Sequence, residues 1–130
     1  MAEFDRVIPK GMEFSYENFH FAPAVKTGDR LYGSGQIGIG PDGKPAEDPA
    51  TQFTHAFENV GRVLEAAGLG FGDIVELTTY HVGLQQHMRT FMGVKDRFIK
   101  EPYPAWTAIG ITELAIPGAL VEIRAIAAVH

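Results

Sequence analysis

The strongest pattern in the chain is helical. Phe53, Ala56, Phe57, Val60, Val63, Leu64 and Ala67 recur at the i, i+3, i+4, i+7 spacing of a helix laid on a core. Asp48 stands where a carboxylate can accept the first unpaired amides, Pro49 suits the opening turn, and Gly68 follows as a closing residue. Gln85 to Ile99 returns to the same spacing through Met88, Phe91, Met92, Phe98 and Ile99. Other segments favour extended chain. Asp73 to Val82 (DIVELTTYHV) is rich in β-branched and aromatic residues, and Trp106 to Ile111 reads likewise. In Leu120 to Val129 (LVEIRAIAAV), alternate residues from Val121 to Val129 make one wholly apolar face. The other face carries Glu122 and Arg124 between Leu120 and Ile126.

Ahead of the first helix, residues 19–28 alternate loosely around Pro23, which predicts an edge strand, where a missing N–H does least harm. Arg30 to Ile37 predicts the next strand, with Thr27-Gly28-Asp29 as the hairpin turn between them. Gly40 to Pro45 (GPDGKP) and Pro117-Gly118 are turns. The order β-β-α-β-α-β-β predicts one domain, residues 1–130, with an α+β fold: a sandwich of two helices on one face of a mixed sheet.

Composition narrows the function classes. At 130 residues the chain can bury about two-thirds of the surface it exposes when unfolded. Its net charge of −5 is spread without a Lys/Arg stripe, which argues against nucleic acid or an anionic membrane as partner. No apolar run approaches the ~18–20 residues of a bilayer span, and MAEFDRVIPKG carries charges too early for a signal peptide. The absence of cysteine excludes disulfides, thiolate metal sites and a cysteine nucleophile, and makes a reducing cytoplasm the expected location.

Gly33 to Gly38 (GSGQIG) matches G-x-G-x-x-G, yet a turn follows where a dinucleotide site needs a helix to point its amides at the phosphates. The small residues suit either a glycine bulge or the close approach of a backbone or ligand, with Ser34 and Gln36 as short polar groups. His20, His55, His81, His87 and His130 show no compact ligand spacing, so no metal is expected. His55 flanks the helical stripe, and His81 ends a strand as a hydrogen-bonded residue or a cleft wall. Ser34 lacks a G-x-S-x-G nucleophile elbow. Glu122, two residues from Arg124 on a strand, shares its face. If that face is covered, the carboxylate either pairs with Arg124 or keeps a raised pKa and acts on water or substrate. Trp106, the single tryptophan, is either core packing or the wall of a binding site.

SGQIG, DPATQFTHAFENVGRVLEAAGLGFGDIVELTTYHV, PYPAW and VEIRAIAAV occur in an order and spacing that resembles the RidA/YjgF family, the imine/enamine deaminases, from about Phe21 to Val129. The resemblance implies a chorismate-mutase-like fold, a homotrimer whose sheets form a central barrel, and small-molecule clefts between subunits. It also implies hydrolysis of 2-imino or enamine acids to 2-oxo acids and ammonia, with no metal or organic cofactor. In that family an arginine of a Pro-Ala-Arg motif clamps the substrate carboxylate, and a last-strand carboxylate positions water. Here the carboxylate is Glu122 and the Ser-Gly-Gln turn is Ser34, Gly35 and Gln36, but the motif reads Pro104-Ala105-Trp106.

Phe21 stands for the family's cleft tyrosine, and Met92 falls near an asparagine of its second helix; Tyr16, Tyr80 and Tyr103 are other candidate phenols. An indole offers a single N–H donor and a flat face where a guanidinium offers a planar fork, so the resemblance implies a more apolar or aromatic ligand. The expected site is Glu122 as the catalytic carboxylate, with Ser34, Gly35, Gln36, Trp106, Thr107, Phe21 and Met92 around the substrate. Arg124 compensates for the missing arginine only if it reaches the cleft. A non-catalytic trimer that binds or senses a small molecule is the alternative, and the acidic balance disfavours a nuclease.

Overall fold

The computed structural model describes residues 4–130; Met1 to Glu3, where the charged N-terminal stretch begins, lie outside the described residues. The elements are β1 (Asp5–Val7), α1 (Glu13–Phe19), β2 (Ala24–Thr27), β3 (Arg30–Gly33), β4 (Gln36–Ile37), α2 (Pro49–Ala66), β5 (Ile74–Val82), α3 (Leu84–Phe98), β6 (Ala105–Ile111) and β7 (Val121–Ala128). One seven-stranded sheet runs in the spatial order β1-β2-β3-β7-β5-β6, with β4 also paired to β7. Its β5–β6 ladder is parallel and its other ladders are antiparallel.

The mixed-sheet α+β architecture is the expected one, with corrections near the N-terminus. β1 and α1 add a strand and a third helix to the predicted order. Neither carries a periodic stripe, since β1 is three residues long and α1 buries none of its side chains. The strand expected over residues 19–28 is confined to Ala24–Thr27, and it lies between β1 and β3 rather than at an edge. The single strand expected over Arg30 to Ile37 breaks at Ser34 and Gly35. There the Ser34 amide donates to Pro23 O at 2.9 Å and its hydroxyl to Ala22 O at 2.7 Å, diverting the chain from the β7 ladder for two residues.

The helices form where the periodicity placed them. Asp48 accepts the Thr51 amide at 2.9 Å and caps α2, whose buried stripe includes Phe53, Ala56, Phe57, Val60, Val63 and Leu64. This face and that of α3 cover one side of the sheet, where Leu31, Leu77, Val121, Ile123 and Ala127 are fully buried. Phe91 of α3 packs edge-on to Phe53 at 5.3 Å, and Phe98 stacks on Phe57 at 5.2 Å. Burying this apolar surface is the main force holding helices to sheet.

Gln52 is a polar residue inside the stripe. Its amide donates to Ala46 O and Gly118 O, and its carbonyl accepts the Leu120 amide at 2.6 Å. It thereby fixes the turn into β7, which carries Glu122. The glycines of GSGQIG serve close approach: no helix starts at them, and a Cβ on Gly38 would fall 2.1 Å from Gln52 O. The opposite side of the sheet keeps its side chains half-buried or exposed, Tyr32 and Ile109 among them at 38 % and 39 %.

Candidate functional site

Strand alternation sends Val121, Ile123, Ala125 and Ala127 of β7 into the core and leaves Glu122, Arg124 and Ile126 half-buried on the open face. Glu122 is in register with Ile37 on one side and Tyr80 on the other. Its side chain lies directly over Gly35: a Cβ there would sit 2.3 Å from Glu122 Cδ and 2.6 Å from Oε2. A side chain at position 35 would occupy the carboxylate's place. Burial raises the Glu122 carboxyl above its ordinary pKa. Among the described residues it forms no ion pair with Arg124 and no side-chain hydrogen bond, which removes the reading of a structural Glu–Arg pair. A half-buried carboxyl with free oxygens and a raised pKa is suited to accept and return a proton.

Cross-strand register extends this face into rows. Glu122 of β7, Tyr80 of β5 and Ile109 of β6 form one row, and Arg124, Thr78 and Thr107 form the next. Directly paired residues leave a sheet on the same side, so Thr107 shares the face of Glu122. The register also settles which tyrosine lies nearby: Tyr80 is next to Glu122, whereas Tyr16 and Tyr103 are exposed elsewhere at 45 % and 66 %.

Trp106 faces the other way. It is paired with the buried Leu77 and packs against the helix side of the sheet. Its indole Nε1–H donates to Thr79 Oγ1 at 2.9 Å, and Thr79 Oγ1 lies 2.8 Å from His81 Nε2. Thr79 and His81 are both fully buried, and burial lowers the His81 pKa to about 4. The imidazole is therefore neutral, and the Thr79 hydroxyl that accepts the indole N–H shares a second hydrogen bond with Nε2. The His81 ring meets Phe91 edge-on at 4.6 Å, and Lys95 Nζ sits 4.5 Å from the centre of the indole. His81 is thus a hydrogen-bonded core residue. Within one chain Trp106 and Glu122 lie on opposite faces of the sheet.

Gln36 is in register with Ile123 and also faces α2, lining a small void with Val60, Val63 and Leu64 rather than the Glu122 face. The Ser34 hydroxyl is committed to Ala22 O. Phe21 and Met92 are exposed at 43 % and 42 %, Phe21 ahead of β2 and Met92 on α3, where it leaves the apolar face expected of it. Of the expected residues, one chain therefore brings together Gly35, Glu122 and Thr107. Thr78 and Tyr80, which complete that face, were legible in the alternation of DIVELTTYHV but not in any motif. His55 is half-buried against Gly40, and its Nδ1 is buried without a partner. Among the described residues no helix is long and apolar enough to cross a membrane.

These features define an α+β protein with a single half-buried acid set over a glycine on an open sheet face. The family profile described as endoribonuclease L-PSP matches residues 16–129. The chain belongs to the RidA/YjgF family. It is 39% identical over 128 residues to the RutC family protein YjgH of Escherichia coli, covering 98% of this chain and 96% of that one. It is 33% identical to the 2-iminobutanoate/2-iminopropanoate deaminase of Salmonella typhimurium, covering 82% of this chain and 85% of the relative. The solved structure of protein YJGH superposes with a TM-score of 0.90 at 37% identity, over 98% of both chains. That of RidA from a Psychrobacter species gives 0.78 at 32% identity, over 84% of this chain and 88% of the other.

Proposed function

We propose that this protein is a RidA-like hydrolase that deaminates small reactive imine or enamine metabolites to carbonyl products and ammonia. It acts as a cytoplasmic homotrimer of single-domain chains, residues 1–130, whose sheets form a central barrel, and it uses no metal or organic cofactor. The observation that carries the reading is Glu122: a half-buried carboxyl with a raised pKa, seated on Gly35 and without a side-chain partner among the described residues. Glu122 accepts a proton from water as the oxygen adds to the C=N carbon and passes it to the nitrogen, giving the carbinolamine. The carbinolamine hydroxyl then gives its proton to Glu122 as the C=O bond forms, and the C–N bond breaks as Glu122 delivers that proton to the departing ammonia. The name of the Salmonella relative as an imine deaminase supports this chemistry.

The substrate preference differs from that of an arginine-clamped site, because Trp106 presents an indole where the clamp is expected. Gly35 and Thr107 beside Glu122 of one copy and Trp106 and Met92 of its neighbour line a cleft between subunits, with Phe21 near its mouth. An amino-acid oxidase generates 2-iminopropionate or a longer-chain imine in solution, and its decay is followed with and without protein. Accelerated decay that Glu122→Gln abolishes is the expected result. No acceleration with either short or long imines overturns the deaminase reading. The indole at position 106, tied to Thr79 Oγ1, favours a second reading, a binding or sensing trimer, because the side chain there carries no cationic clamp. A small molecule retained from cell extract and identified by mass spectrometry, with no imine turnover, is the outcome that reading expects.

A further inference from the structure

The open face next to Glu122 carries a set of polar groups that the chain itself leaves unused. Arg124 is half-buried in the middle of β7, yet among the described residues its guanidinium makes no hydrogen bond, ion pair or contact with an aromatic ring. Thr78 and Tyr80 are half-buried and Thr107 exposed, and among the described residues their hydroxyls also have no partner, in contrast to Thr79, which is doubly engaged. Glu76, one row further along β5, is exposed and forms no ion pair with Arg124. The alignment of these groups follows from the ladder. Arg124 is directly opposite Thr78, and Thr78 is directly opposite Thr107. With strands about 4.8 Å apart, a cation and two hydroxyl donors form one line across three strands. Glu122 stands one strand repeat away, about 6.7 Å along β7.

A partly desolvated guanidinium with no counter-charge is unfavourable on its own and is offset when an anion arrives. The planar fork suits a carboxylate, and adjacent threonine hydroxyls complete its lone pairs. We propose that Arg124, with Thr78 and Thr107, holds the carboxylate of the substrate on the open sheet face next to Glu122. The inference rests on the hydrolase reading for the identity of the anion, and it deepens that reading by naming the groups that bind it. In this arrangement the cation is on the same strand and face as the acid. The anion's position relative to Glu122 is then set by the strand repeat and owes nothing to residue 106.

The test separates binding from turnover. Titration of the intact protein with 2-oxobutyrate, a stable carboxylate of the product class, is followed by chemical-shift changes of amides on β5, β6 and β7. Wild type is expected to bind, Arg124→Gln to weaken binding by about tenfold or more, Arg124→Lys to recover part of it, and Thr107→Val to weaken it by a smaller factor. Uncharged 2-butanone is expected to distinguish none of them. In turnover of 2-iminopropionate the same change at 124 is expected to raise KM with kcat largely kept. Retained 2-oxobutyrate binding in Arg124→Gln overturns the proposal, as does no binding by wild type or an equal loss for the uncharged probe. If binding follows Arg124 but no imine is hydrolysed, the anion row stands and the hydrolase reading fails.

Discussion

The buried histidine under Trp106 predicts a specific loss of stability in mild acid. His81 is 1 % exposed, and burial lowers its pKa from 6.5 to about 4. Its neutral form is favoured in the folded chain, so the unfolded chain binds more protons between those two values. The stabilisation is complete above pH 6.5 and is lost as pH falls towards 4. A shift from 6.5 to about 4, at about 1.4 kcal/mol per unit, is worth about 3 kcal/mol in full and about 2 kcal/mol between pH 7 and pH 5. Glu122 works in the opposite sense. Its raised pKa means that stability falls as pH rises through the window above its ordinary value of 4.5.

The comparison that isolates His81 is therefore wild type against His81→Gln, both in a Glu122→Gln background. Urea unfolding at fixed protein concentration and pH 7, 6 and 5 is the assay. With a slope of about 1–3 kcal/mol per molar urea, the His81 parent is expected to lose about 1 M in midpoint across that range, and the His81→Gln chain distinctly less. Proton resonances of the imidazole supply a check that does not depend on the variant folding. A ring that titrates near pH 6.5 in the folded protein, or equal pH slopes in the two chains, refutes the assignment of His81 as a neutral core residue.

Two further substitutions test neighbouring parts of the structure. Gly35→Ala places a Cβ 2.3 Å from Glu122 Cδ and displaces the carboxylate; imine turnover is expected to fall by about 10²-fold while urea stability falls by about 1 kcal/mol. Full activity in this variant contradicts the seating of Glu122 on Gly35. Thr79→Val removes the acceptor of the Trp106 Nε1–H and the partner of His81, leaving buried polar groups unmet at a cost of about 2–4 kcal/mol. Trp106 is the single tryptophan, so its fluorescence reports the change directly, and an unaltered emission maximum together with unaltered stability contradicts the hydrogen-bonded chain.

Much of this arrangement was legible along the chain because it is periodic. The α2 stripe, its Asp48 cap, and the alternation of β5 and β7 are local properties: 3.6- and 2-residue repeats set which side chains share a face. Alternation alone puts Glu122 and Arg124 together, and the four family blocks marked the acid. β1 and α1 were not legible, because three residues and an unburied helix hold no pattern to read. The break at Ser34 depends on carbonyls at Ala22 and Pro23 that lie more than ten residues away along the chain.

What the tertiary structure decided is how those faces meet. The motif Pro104-Ala105-Trp106 marks a position in the family pattern, but not the side of the sheet on which the indole lies. The parallel β5–β6 register pairs Trp106 with Leu77 and turns it into the core, where Thr79 and His81 hold it. The same register brings Thr107 and Thr78 into line with Arg124. A shift of one residue would exchange every one of these positions between core and open face. The sequence by itself determined which residues travel together on a strand or helix. Which strands lie side by side, and which of their faces the helices cover, followed from the burial and hydrogen bonding of segments far apart in the chain.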